Sequence, residues 1–134
     1  LVTRIVFSKS AIRRAQLRPK PVAFNPSPYN ELSVIHTSKL TDEAIWEVAK
    51  QTRGTEPGRT GIYCRVDAPV QSFNDFQLRA LRDDKPFKRH TSIVDWPLGS
   101  DGNEAKALWK HICLGLSEDP RITVAFPTGP VTNP

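Results

Sequence analysis

The segment RPKPVAFNPSPYN, residues 18–30, constrains this chain more than any other feature, because Pro19, Pro21, Pro26 and Pro28 fall within it. Proline fixes φ near −65° and has no backbone N–H, so the segment is neither a continuous helix nor a central strand. It reads as an extended, polyproline-like connector. The chain then divides into a basic, Pro-rich N-terminal segment (1–30), an α+β core (31–126) and a tail (127–134). At 134 residues this fits a single domain, and folding should bury roughly two-thirds of the surface that the unfolded chain exposes.

Hydrophobic periodicity predicts the core. TRIVF (3–7) has the β-branched and aromatic character of a first strand. AIRRAQLR (11–18) is expected as a short basic helix capped by Ser10 and ended by Pro19. ELSVIHTS (31–38) alternates, placing Leu32, Val34, His36 and Ser38 on one face. LTDEAIWEVAKQTRG (40–54) reads as a helix with Thr41 as N-cap, acidic residues in its first turn and Gly54 at its end. IYCRV (62–66), HTSIVDW (90–96) and RITVAF (121–126) read as strands, and EAKALWKHICLGL (104–116) as a second principal helix. Between 67 and 89, Ser72 would cap a short helix through Leu81, with a short strand around Leu78 as the alternative. The expected fold class is α+β, a single mixed sheet of about five strands with two principal helices.

Charge is unevenly placed. The net charge is +5, yet residues 1–30 carry Arg4, Lys9, Arg13, Arg14, Arg18 and Lys20 with no acid, leaving 13 basic and 14 acidic residues elsewhere. Such a segment attracts polyanions. KPFKRH (85–90) adds Lys85, Lys88, Arg89 and His90 around Phe87, a pattern in which charges track phosphates and a ring stacks on a base. Cys64 and Cys113 belong to no CxxC pair and sit in apolar patterns, so a reduced, cytoplasmic protein is expected, with a single disulfide as the alternative. No apolar run has the length of a membrane span. The three histidines lack metal-ligand spacing, so neither a metal nor a cofactor is expected. GRTG (58–61) has glycines able to turn N–H groups toward a phosphate, or to make an ordinary turn.

The triplet His-Thr-Ser occurs twice, at 36–38 and 90–92. Metal-independent phosphodiester cleavage needs a base and an acid that work near neutrality, and two imidazoles suit both roles. A hydroxyl two residues after each histidine would share its strand face. His36 with Ser38 and His90 with Ser92 therefore resemble the paired His-x-Thr/Ser motifs of 2H phosphoesterases, which implies a two-lobed groove and phosphodiesterase or ribonuclease chemistry. A broader likeness joins AFNPSPYNELSVIHTSKLTDEAIW to RHTSIVDWP. These stretches resemble a family of short uncharacterised bacterial proteins with a Pro-rich start, an SV strand and an RHxxIxxWP signature, matched here by Arg89, His90, Ile93, Trp96 and Pro97. That likeness implies no activity. The function expected from these features is a small non-catalytic module that binds nucleic acid or an acidic protein surface. Arg13, Arg14, Arg18 and Lys20 would supply attraction, with Lys85, Phe87, Lys88, Arg89 and His90 at the ligand. The alternative is a 2H-like phosphodiesterase using His36 and His90. Oligomeric state is not legible at this level.

Overall fold

A computed structural model describes residues 1–27, 30–53, 61–85 and 87–127. The α+β class is as expected. Six strands form one sheet: β1 (Val2–Val6), β4 (Leu32–His36), β5 (Cys64–Ala68), β6 (Arg79–Arg82), β7 (His90–Val94) and β8 (Thr123–Ala125). A separate small hairpin pairs β2 (Ile12–Arg13) with β3 (Arg18–Pro19). The main helices are α1 (Asp42–Arg53) and α3 (Gly102–Glu118), and α2 (Val70–Asn74) is a single short turn of helix.

The sheet runs β6-β7-β4-β1-β5-β8 and every neighbouring pair is antiparallel, which corrects the expected mixed sheet of about five strands. The reason lies in β1. A strand–helix–strand sequence ordinarily yields adjacent parallel strands, but β4 and β5, joined through α1, each pair with β1 between them. The crossover therefore steps over an antiparallel strand. The sixth strand, β6, falls where a helix through Leu81 was expected; α2 stops at Asn74, and Ser72 is buried within it rather than capping it.

Local chemistry explains the helices. The Thr41 hydroxyl accepts the Ala44 N–H at 3.1 Å, and the Asp101 carboxylate accepts the Glu104 N–H at 2.9 Å, so each helix starts on a side-chain cap. The two helices cover opposite faces. Ile112, Cys113 and Leu116 of α3 pack with Val2, Val34, Val66, Ile93 and Phe73, whereas Ala49 of α1 packs with Ile5 and Ile35, and Trp46 lies against them.

The N-terminal segment departs most from expectation. Residues 11–18 form no α-helix. Two 3-10 turns, Lys9–Ala11 and Arg14–Gln16, flank β2, and Leu17 takes a left-handed conformation (φ 52°). Nor is the Pro-rich stretch only a connector: Pro21–Phe24 is a 3-10 turn that packs on α3, and it buries Ala23 and Phe24. The Phe24 ring meets Phe73 edge-on at 6.4 Å. Fixed φ values that forbid a helix serve here to hold an aromatic anchor in place. The expected turn at 58–61, apart from Gly61, lies outside the described residues, as do Gly54 and 128–134 of the tail.

Candidate functional site

The strand register decides the relation between the two triplets. Across β4 and β7, Ile35 faces His90 and Ser33 faces Ser92. Directly opposed residues project to the same side and successive residues alternate, so His90 and Ser92 lie on the α1 side with Ser33, while His36 points to the α3 side. The two imidazoles form no common groove. Their serines are separated as well: Ser38 accepts a bond from the Leu1 ammonium at 3.1 Å, and Ser92 donates toward Glu31 at 3.4 Å. Partial burial lowers the pKa of His36, and the nearby cations Arg82, the N-terminus and Arg89 lower it further.

His90 has different partners. The residue is 6% exposed, with Nε2 3.0 Å from the Ser33 hydroxyl and Nδ1 2.5 Å from Asp83 Oδ1. Asp83 follows β6, and its N–H bonds the His90 carbonyl at 3.1 Å, so backbone and side chain are locked to the same residue. Phe87 meets the imidazole edge-on at 5.2 Å. Burial works to raise the Asp83 pKa, but bonds from His90 and the Lys85 N–H outweigh it and hold the carboxyl below its usual value. An ionised Asp83 accepts from Nδ1–H, and in the neutral ring with that tautomer Nε2 presents its lone pair to Ser33. Ser33 itself is exposed.

The basic residues expected to bind an anion are largely engaged within the fold. Arg18 donates to the Ser117 carbonyl through Nε (3.2 Å) and Nη2 (2.6 Å), to Ile122 O at 2.5 Å and to Asp119 O at 2.7 Å, closing the C-terminal end of α3. Arg14 lies over Phe126 at 4.5 Å and donates to the Tyr63 hydroxyl at 3.1 Å. Arg89, at φ 72°, donates its guanidinium to His36 O at 3.0 Å and its N–H to Asp84 at 2.8 Å. Phe87 is half-buried against the α1-side cluster. Arg13, Lys85 and Lys88 are exposed and Lys20 is half-buried. The two basic segments also occupy different corners. The 85–90 loop enters β7 beside Ile35, whose other neighbour is Thr3 at the start of β1. Tyr63, which Arg14 touches, bonds Val6 at the end of β1 toward the opposite sheet edge.

A groove of about 480 Å³ opens between the Pro21–Phe24 turn and α3, lined by Pro21, Val22, Asn25, Pro26, Trp109 and Cys113, with Lys106 and Lys110 beside it. The Trp109 indole N–H donates to Pro97 O at 2.6 Å, which pins the ring. Lys106 and Lys110 stand one helical turn apart, both exposed. Neither makes an ion pair among the described residues. Burial pushes the Cys113 thiol up to about 12.

Among the described residues there is no cluster of three metal-ligating side chains, and no helix is long and apolar enough to cross a membrane. No family model, no curated protein and no solved structure matches this chain. The sequence reading overlooked Ser33, Asp83, Lys106, Trp109 and Lys110. For the α3 residues a signal was present, a lysine pair at i, i+4 flanking a tryptophan. Ser33 and Asp83 meet His90 only through strand register.

Proposed function

We propose that this chain is a protein-interaction module that receives an acidic segment bearing an apolar anchor in the groove between the Pro21–Phe24 turn and α3. One observation carries the reading: an apolar groove of about 480 Å³, lined in part by a pinned tryptophan, is flanked by two exposed lysines that make no ion pair among the described residues. A volume of that size takes one or two side chains, and the ammonium groups suit carboxylates on either side of the anchor. The reading keeps the anionic partner expected from the charge map and moves it from the arm and the 85–90 loop to α3. An acidic protein is favoured over nucleic acid, since Phe87 is half-buried against the α1-side cluster and Arg18 and Arg89 are held by backbone carbonyls. Two buried free thiols fit a reducing compartment.

The test is fluorescence anisotropy of a labelled peptide with one leucine between aspartates. Lys106→Glu/Lys110→Glu should weaken binding by about tenfold or more, and added salt should weaken the wild type in parallel. Tighter binding of an oligonucleotide than of the peptide, or indifference to the double charge reversal, would refute the reading.

A further inference from the structure

We propose that Ser33, His90 and Asp83 form a nucleophilic relay that opens activated carboxylic esters, with Ser33 as the acyl acceptor. The inference goes beyond the binding role and does not rest on it. Three features support the relay. The exposed Ser33 hydroxyl lies 3.0 Å from a ring nitrogen that is otherwise buried, and that ring's other nitrogen lies 2.5 Å from a carboxylate. The order nucleophile, base, orienting acid is the arrangement recognised by geometry on unrelated folds. The ring is also held from several sides, by Phe87 edge-on and by the Asp83 N–H on its own carbonyl, so its orientation is set before any substrate arrives.

The electrostatics select the substrate class. Glu31 bonds Ser92, which lies directly opposite Ser33, and Asp83 lies behind the imidazole. Arg4 donates to the Ser33 carbonyl at 2.9 Å, so these two carboxylates and one cation leave no net positive charge at the nucleophile, a setting that suits a neutral carbonyl better than a phosphodiester anion. In the reaction, Ser33 Oγ attacks the carbonyl carbon while Nε2 takes its proton. The carbon–oxygen bond to the leaving group then breaks, and the leaving oxygen receives that proton. Water attacks the acyl-serine in the second half, giving the carboxylic acid and free Ser33. No oxidant, metal or further reactant enters. Asp83 is a positioning residue, holding the ring proton on Nδ1.

The experiment uses the full chain with p-nitrophenyl acetate, following 4-nitrophenolate release and the intact mass. The expected result is an acetyl adduct mapped to Ser33 and absent from Ser33→Ala. Asp83→Asn should acylate about a hundredfold more slowly with the same dependence on ester concentration, a split that a merely structural role would not produce. His90 is buried, so the test rests on the exposed Ser33 and on Asp83, with circular dichroism confirming both variants folded. No adduct, an adduct on a lysine, an adduct that survives Ser33→Ala, or normal acylation in Asp83→Asn would each overturn the proposal. Ser33→Ala should leave peptide affinity at the α3 groove unchanged, so failure of either proposal is seen separately.

Discussion

Replacing Arg18 separates two accounts of the N-terminal charge. If its guanidinium serves the fold, Arg18→Ala strips four donor contacts from three carbonyls that follow or end α3, those of Ser117, Asp119 and Ile122. Each charge-assisted bond contributes about 1.5–3 kcal/mol when cut singly, and a cation at a helix C-terminus adds about 0.5 kcal/mol. The contacts share one group and are not additive, and water reaches part of the vacated site. A net loss of about 3 kcal/mol is therefore expected. For a domain of this size that lowers Tm by about 10 °C, measured by calorimetry and by urea denaturation followed by circular dichroism. Arg18→Lys should recover only a minor part, since an ammonium cannot span three carbonyls in a planar fork. A variant whose Tm stays within about 2 °C of wild type while its affinity for polyanions falls would refute the reasoning and return Arg18 to the surface role that the charge map suggested.

Three further outcomes follow from the packing. Gly115→Ala gains about 1 kcal/mol of helix propensity but drives a methyl group into the Phe76 ring; overpacking costs about 1–3 kcal/mol, so urea denaturation should show net destabilisation that Phe76→Leu partly relieves. Burial pushes both the Cys64 and Cys113 thiols up to about 12, so neither should react rapidly with Ellman's reagent at pH 8 until guanidinium is added; a fast native thiol would contradict the core described here. Arg121, bonding the carboxylate, holds Asp119 at about 2, below the roughly 3.9 of an unfolded aspartate. A depressed folded value contributes stability that is present above the unfolded pKa and lost as pH falls through the folded one. Stability measured between pH 4 and 2 should accordingly fall less steeply in Asp119→Asn than in wild type.

What could be read from the sequence was whatever depends on local period. The alternation of Leu32 and Val34 and the capped stripe ending at Ala49 each place one element, and both appear where expected. Residues 11–18 failed for a tertiary reason: Arg18 satisfies carbonyls at the end of α3, about 100 residues away, and the backbone turns at Leu17 to let it. The Pro-rich stretch carried the right prohibition, no long helix, but no hint that Phe24 enters the core. The repeated triplet paired His90 with His36, and the strand register separates the two. His36 is one position from Ile35, the residue opposite His90, and so takes the other face, while Ser33, two positions from Ile35, shares the face of His90. Periodicity says which residues share a face of one strand, and it is silent on which strand lies alongside.

The central position of β1 also has a kinetic consequence. Both of its neighbours are distant in sequence, with Thr3 opposite Ile35 on one side and Asp67 on the other. Neither flank can close as a tight hairpin, so the sheet's middle must wait for slow, long-range loop closures. During synthesis β1 emerges before both of its partner strands and stays half-paired until residue 68 has emerged. A nascent chain halted before that point would present Val2 and Val6, buried in the finished protein, to whatever chaperone is nearby.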